Sequence, residues 1–532
     1  MTVPCHFLSL SVVINYMSSL SNDNKRIAKN TIYLYFRMFL MMAIGLYTSR
    51  VVLNALGISD YGLNNAVGGA VSFFTFLNGA LAQGTQRYLN FSLGTGRIED
   101  SQKVFSTAII NHVVFAVIIV ILTEVVGLYL LQHKMTIEPS RMDAALVVFH
   151  LAVVGLAIGI MMAPVNGCII AHERMSFYAY TSILDAIFKL LIVFLLLYID
   201  NVDKLIMYVV FYFIVGQVYT VINLVYCLHN FEECHFNSRF FDKKLQRNML
   251  SFSGWSIWGN MAGLGADQGV NILLNIFYNT TVNAARGIAM NASGQIQSFI
   301  TNFQTAANPQ IVKFYASGDT MSMFRLANNT SKYSAFLFIF LAIPVFLEID
   351  YILYIWLGVV PDYTSYFTQV TIIQSMITCM DRPHVTAIHA TGKIKWLHII
   401  AGGVLLIIVP ITYVMLKMRI SLYVIYAVNV IPWAIVSVIR LELLRHYTHI
   451  NPMDTYKRVY FKVFILLVVC FIPSFVLHLH MDYGLTRLLA VSGLSMVWTG
   501  GVLYRFGLPK HIRKMLIGKM QGVFSKKGHD LN

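Results

Sequence analysis

Residues 249–318 read MLSFSGWSIWGNMAGLGADQGVNILLNIFYNTTVNAARGIAMNASGQIQSFITNFQTAANPQIVKFYASG. The stretch is long and apolar enough for two membrane crossings joined near residues 279–282. It nevertheless carries Asn260, Asp267, Gln268, Asn271, Asn275, Arg286, Asn291, Gln295 and Gln304. A charge at a helix centre in hydrocarbon costs about 2.5–3.5 kcal/mol on insertion scales. Two helices this polar are expected to face a protein interior or a wet cavity, with Gly254, Gly259, Gly263, Gly265 and Gly269 permitting bends and close packing. A transport pathway requires helices of this kind.

The surrounding chain has the composition of a polytopic membrane protein. Of its 532 residues 57% are hydrophobic and 12% charged, and the mean hydropathy is +0.66. A soluble chain of this composition would expose large apolar surfaces. The six cysteines (Cys5, Cys168, Cys227, Cys234, Cys379, Cys470) form no CxxC pair, so they read as small buried side chains, with no disulfide framework or zinc site. The formal charge of +15 reads as cytoplasmic loops facing anionic lipid, and no nucleic-acid partner is expected.

Windows of about twenty apolar residues place spans at 30–55, 62–91, 104–132, 143–171, 176–199, 204–229, 248–278, 283–312, 328–357, 363–391, 394–417, 421–444, 458–480 and 485–506. The fold class expected is all-α, with about fourteen transmembrane helices. Lys and Arg gather in alternate loops, as at Lys25, Arg26 and Lys29, at Arg239, Lys243, Lys244 and Arg247, and in the tail. The intervening loops are short and base-poor. By the positive-inside rule both termini are cytoplasmic. Residues 1–16, MTVPCHFLSLSVVINY, lack the basic start and the small-residue cleavage site of a secretory signal. A polar leader begins at Met17, where translation is expected to start. The division expected is a leader at 1–24, an N-lobe at 25–229, a cytoplasmic linker at 230–247, a C-lobe at 248–446, two further spans at 447–506 and a basic tail at 507–532.

An internal repeat supports two lobes. LGISDYGLNNAVGGAVSFFTFLNGALAQGTQRYLNFSLGTG (56–96) and FYNTTVNAARGIAMNASGQIQSFITNFQTAANPQIVKFYASG (277–318) share an Asn-Ala-Gly patch, a Phe-rich centre and a Gln followed eight residues later by Gly. Those pairs are Gln86 with Gly94 and Gln310 with Gly318. An offset of about 220 residues spans an even number of helices, which gives parallel halves about a pseudo-two-fold axis along the membrane normal.

LGISDYGL, the run NAARGIAMNASGQIQSFITNFQTAANPQIVKFYASGD and the layout of two six-helix lobes plus two helices resemble the Wzx-type oligosaccharide flippases. These belong to the multidrug/oligosaccharidyl-lipid/polysaccharide (MOP) exporter superfamily. The resemblance covers about Lys25 to Phe506. It implies transfer of an undecaprenyl-diphosphate-linked oligosaccharide across the bacterial inner membrane, for O-antigen, capsule or a related glycan. It also implies a monomer whose partners are the lipid-linked sugar, membrane lipid and other polysaccharide-assembly proteins.

The deep charges suit such a cargo. Each unpaired hydroxyl moved into hydrocarbon costs about 4–8 kcal/mol, so the sugars need a wet cavity and the diphosphate needs cations. Arg37, Lys189, Arg286 and Arg382 are the candidates, because a guanidinium fork bonds a phosphate bidentately. Arg50 lies near the outer end of the first span. Snorkelling of Arg37, Arg50 and Arg286 to an interface is the structural alternative. Asp185 precedes Lys189 by four residues, the favoured order for a helical ion pair. Asp381 adjoins Arg382 and precedes Pro383, whose missing N–H should break or bend the helix and free a carbonyl. Glu124 and Asp267 show no sequence-local partner. Either could bind a coupling H+ or Na+ or pair with an arginine. No other cofactor, and no metal, is expected. Asn260, Gln268, Asn271, Asn291 and Gln295 complete the expected cavity lining. His150, His384 and His389 have no metal-ligand spacing and read as structural.

Two other functions fit less well. A multidrug exporter of the same superfamily, driven by H+ or Na+, needs a cavity dominated by acids and aromatics. A membrane glycosyltransferase or polymerase usually needs a large outer loop, and every outer loop here is short.

Overall fold

The computed structural model describes residues 29–45, 75–133, 137–197, 202–278, 280–358 and 360–509, with scattered positions in 47–71 and residue 513. The leader, Arg50, Cys5 and nearly all of the tail lie outside the described residues. Every regular element among the described residues is helical.

The helices are α1 (29–45), α2 (Thr75–Thr95), α3 (Ile98–His133), α4 (Met142–Met161), α5 (Ala163–Ala171), α6 (Met175–Leu197), α7 (Lys204–Asn230), α8 (Lys243–Phe277) and α9 (Thr280–Ala316). After them come α10 (Thr320–Leu347), α11 (Ile349–Leu357) and α12 (Thr364–Thr391). The chain ends with α13 (Leu397–Lys417), α14 (Leu422–Thr448), α15 (Met453–His480) and α16 (Leu485–Gly507). Nine of the described helices are long and apolar enough to cross a membrane. Helices α8, α9 and α12 are 35, 37 and 28 residues long, ample for a crossing. They miss that group because of their polar residues.

By contact density the chain divides into two compact units: 1–261, 305–323 and 389–398 in the first, and 262–304, 324–388 and 399–532 in the second. Helices α8, α9 and α12 therefore run continuously from one unit into the other. The first unit packs α2 against α3 and α5, α3 against α4, and α7 against α4 and α6. Its core includes Leu89, Phe105, Ile169, Cys168, Cys227 and Cys234. The five described cysteines are all buried and free. The linker after α7 is tied to α3: Asn237 N donates to Ser106 Oγ at 3.3 Å, Asp242 N to Thr107 Oγ1 at 3.4 Å and Gln246 Nε2 to Asn111 Oδ1 at 3.1 Å.

On the acid-bearing side of the first unit, Asp60 of LGISDYGL has a structural task. Arg141 bonds Asp60 through Nε at 2.9 Å and Nη2 at 2.6 Å, and Asp203 through Nη1 at 2.5 Å. Asp203 also caps α7, accepting from Leu205 N at 3.0 Å and Ile206 N at 3.1 Å. Burial pushes its carboxyl up, but the Arg141 bond and these N–H groups outweigh that and hold it below the usual range.

In the second unit α10, α12, α15 and α16 share a core around Phe338, Ile339, Cys379, Val463, Cys470 and Val491. Glu348, at the break between α10 and α11, is fully buried. It meets His478 Nδ1 at 2.8 Å and Arg487 Nε at 3.1 Å, which anchors the last two helices. Helices α12 and α15 run on through Pro383 and Pro473, and in both a side chain takes the freed carbonyl. Pro383 removes the donor for Cys379 O, which accepts from Gln304 Nε2 at 2.6 Å. Pro473 removes the donor for Val469 O, which accepts from Trp498 Nε1 at 3.0 Å.

The repeat register shifts by two residues. Helices α2 and α9 each stop before a glycine in the left-handed region, Gly96 at φ 74° and Gly318 at φ 83°. The partner of Gly318 is therefore Gly96, and Gly94 is a packing position.

Candidate functional site

The second unit holds most of the polar residues of 249–318. Arg286 of α9 is almost wholly buried and turns back to α8. Its Nη2 lies 3.3 Å from Asp267 Oδ1, its Nη1 donates to Asn271 Oδ1, and Asn271 Nδ2 donates to Gln268 Oε1 at 3.2 Å. Ala266, Met290, Gln374, Tyr426, Asn429 and Trp433 help to close a cavity of about 20 Å³ over this pair. That volume holds about one water molecule. Arg286 and Asp267 thus neutralise each other in a site too small for sugar.

Asp381 and Arg382 diverge although they are neighbours, because successive helical side chains point about 100° apart. Asp381, with 2% of its side chain exposed, pairs with Arg440 of α14. Arg382 points to the exposed surface of the unit and donates from Nη1 to Thr301 Oγ1 at 3.1 Å. No carboxylate pairs with Arg382 among the described residues. Beside it, α9 presents Asn291, Gly294, Gln295 and Ser298, all exposed, at positions that recur every three or four residues. This strip is polar, composed of small and amide side chains, and carries one unneutralised cation at its end.

In the first unit, Lys189 bonds Asp185 at 2.8 Å and stands 4.5 Å above the ring of Tyr212. That is the ion pair expected from their spacing. Glu124 meets His150 Nδ1 of α4 at 3.1 Å, a partner 26 residues away that the local sequence could not show. Arg37 lies 4.7 Å over the Tyr178 ring, with no carboxylate partner among the described residues. Asn260 is exposed on α8. The structure thus brings Asp267, Gln268, Asn271 and Arg286 together, and groups Asn291 and Gln295 with Arg382.

Four residues absent from the sequence-based set prove well held. Arg440 and Glu348 complete buried ion pairs in the second unit. In the first, Arg87 of α2 and Glu173 after α5 make long-range bonds to α12 and α9. Arg87 follows Gln86 in the repeat, a signal that could have drawn attention to it.

The fold is that of MOP superfamily transporters. The chain is similar to a MOP superfamily transporter from Pyrococcus furiosus described as having a binding pocket of reverse polarity that suggests a different function. That likeness has a TM-score of 0.68 at 12% identity and covers 80% of this chain and 96% of that one. It is also similar to a multidrug resistance MATE family transporter in an outward-facing conformation, with a TM-score of 0.66, 13% identity and the same coverages. A MATE in the bent conformation gives 0.65 at 14% identity, again covering 80% of this chain and 96% of that one. No curated protein matches. The model of a family described as polysaccharide biosynthesis protein matches residues 27–315. That match spans more than half of the sequence and agrees with the resemblance carried by LGISDYGL and the 284–319 run, so this chain belongs to the polysaccharide biosynthesis protein family.

Proposed function

We propose that this multi-pass transporter of MOP type flips a polyprenyl-diphosphate-linked oligosaccharide from the cytoplasmic to the periplasmic leaflet of a bacterial inner membrane by alternating access. It would act without enzymatic chemistry of its own, in the assembly of O-antigen, capsule or a related glycan. The observation that carries the proposal is the exposed strip Asn291, Gly294, Gln295 and Ser298 ending at Arg382, which lacks a carboxylate partner among the described residues. Amides and a guanidinium exposed at membrane depth need water around them. An unneutralised cation there attracts an anion. Amides and hydroxyls offer the donors and acceptors that sugar hydroxyls need, while the prenyl chain stays in lipid. The basic loops support cytoplasmic termini by the positive-inside rule.

The diphosphate contact falls to Arg382 in the second unit, and Arg37 in the first unit is a separate cation without a carboxylate partner among the described residues. Arg286 and Lys189 each have an acid within reach, Arg286 across to Asp267 of α8 and Lys189 to Asp185 on its own helix. A cation exporter would need the opposite polarity at the strip.

The test is complementation. Deleting the gene should make a lipid-linked sugar accumulate on the cytoplasmic leaflet, and the wild-type gene should clear it. A charged hydrogen bond contributes about 1.5–3 kcal/mol, so Arg382→Ala should weaken cargo handling about 10- to 100-fold, with Arg382→Lys intermediate. Full clearance by Arg382→Ala removes Arg382 from the site. Loss of drug tolerance with no accumulated sugar would favour the multidrug exporter.

A further inference from the structure

The basic-loop end of the first unit is held shut by bonds between segments far apart in sequence. Arg87 of α2 reaches the last turn of α12, donating from Nε to His389 O at 3.0 Å and from Nη2 to Ala390 O at 2.8 Å. These carbonyls lie in the last turn of the helix, where His389 O also accepts from Gly392 N at 3.0 Å, and a cation at a helix C-terminus is favourable. The guanidinium is flanked by the rings of Tyr88, Phe91 and Phe252, at 4.5, 5.2 and 5.7 Å.

A second set of bonds fastens α9. Glu173, just past α5, has φ 58° in the left-handed region, uncommon for a residue with a side chain. Its carboxylate, with 2% of the side chain exposed, accepts from Gln310 Nε2 at 2.7 Å and Lys313 Nζ at 3.0 Å. Backbone strain at an element end that aims a buried charge marks a position over-determined by its surroundings. Beside it, α2 lies so close to α9 that a Cβ on Gly94 would fall 2.7 Å from Ala316 Cβ and 2.9 Å from Lys313 Cα. The rings of Phe91 and Tyr315 meet at 6.5 Å.

We infer that Arg87 with the α12 carbonyls, and Glu173 with Gln310 and Lys313, form a latch that closes the cytoplasmic side and is broken whenever cargo is admitted from that leaflet. The inference rests on the transport reading above for its role in the cycle. The latch grips the two helices that carry the polar strip. Arg382 lies seven residues before His389 on α12, about 10 Å along the axis, and Asn291 to Ser298 lie on the same helix as Gln310 and Lys313. Cargo bound at the strip is thus connected to the latch through continuous helix.

The test is side-specific labelling of a cysteine at Ser298 in the full chain in membranes, read as the gain over the chain without it, using a membrane-impermeant maleimide applied from the cytoplasmic face. In the otherwise native chain labelling should be slow. Arg87→Gln, Glu173→Gln and Gly94→Ala should each raise the cytoplasmic rate about tenfold as the closed population falls. Joining Phe91→Cys to Tyr315→Cys with a bis-maleimide should abolish that labelling, a readout that does not depend on the charge variants folding. Unchanged cytoplasmic labelling in the first two variants together with no effect of the cross-link overturns the latch. If labelling responds as expected but no lipid-linked sugar accumulates on gene deletion, the latch stands and the cargo reading falls.

Discussion

At the scale of single residues, the charges here sort by whether an opposite charge is within reach. Asp381 and Arg440 are both largely buried, and removing one partner of such a pair leaves an uncompensated charge worth about 3–5 kcal/mol. Asp381→Asn alone should therefore sharply reduce the folded fraction seen by size-exclusion chromatography. Asp381→Leu with Arg440→Met should recover much of it, and equal loss in the single and double variants would contradict this account. The same logic separates Arg286 from Arg382: the first is tied to Asp267, and the second has no carboxylate partner among the described residues. Asp203 gives a pH signature. Its carboxyl is held below the ordinary value, so its contribution is present above the unfolded value of about 3.9 and is lost as pH falls through the lower folded value. The Tm difference between wild type and Asp203→Asn should stay level from about pH 7 to 5 and shrink below about pH 4. A difference that has vanished by pH 5 would refute the clamp.

At the scale of elements, much was legible in the sequence and some was not. Hydropathy located the apolar spans, because a bilayer imposes length and composition together. Helices α8 and α9 were legible for the opposite reason, as membrane-length segments whose polar residues need company. Partners across helices were not legible. Asp381 stands next to Arg382 in sequence but bonds a residue 59 positions away, and Glu124 finds His150, since sequence neighbours on a helix face different ways. The expectation that Pro383 would free a carbonyl held, whereas the identity of its acquired donor, Gln304, depends on packing. Leaving that carbonyl unpaired costs about 1–3 kcal/mol. Gln304→Leu should therefore lower the Tm in detergent more than Gln297→Leu, which removes only a 3.3 Å bond to Thr378 Oγ1. Equal shifts would mean that the freed carbonyl finds another donor.

At the scale of the whole molecule, a chain with few charges places them in two ways. Paired charges stabilise helix contacts inside each unit, and Arg382 of α12, with no carboxylate partner among the described residues, stands at the end of a polar strip on α9, a helix long enough to cross the bilayer. The role of that strip depends on water reaching it. A charged, impermeant thiol reagent should modify Gln295→Cys in purified protein at a rate near that of a cysteine in a loop, such as Asp482→Cys. A prenyl-diphosphate-linked sugar should slow the reaction, and should fail to do so in Arg382→Ala. A Gln295→Cys that reacts no faster than a cysteine at apolar, exposed Val125, with no protection by the sugar, would contradict the hydrated pathway.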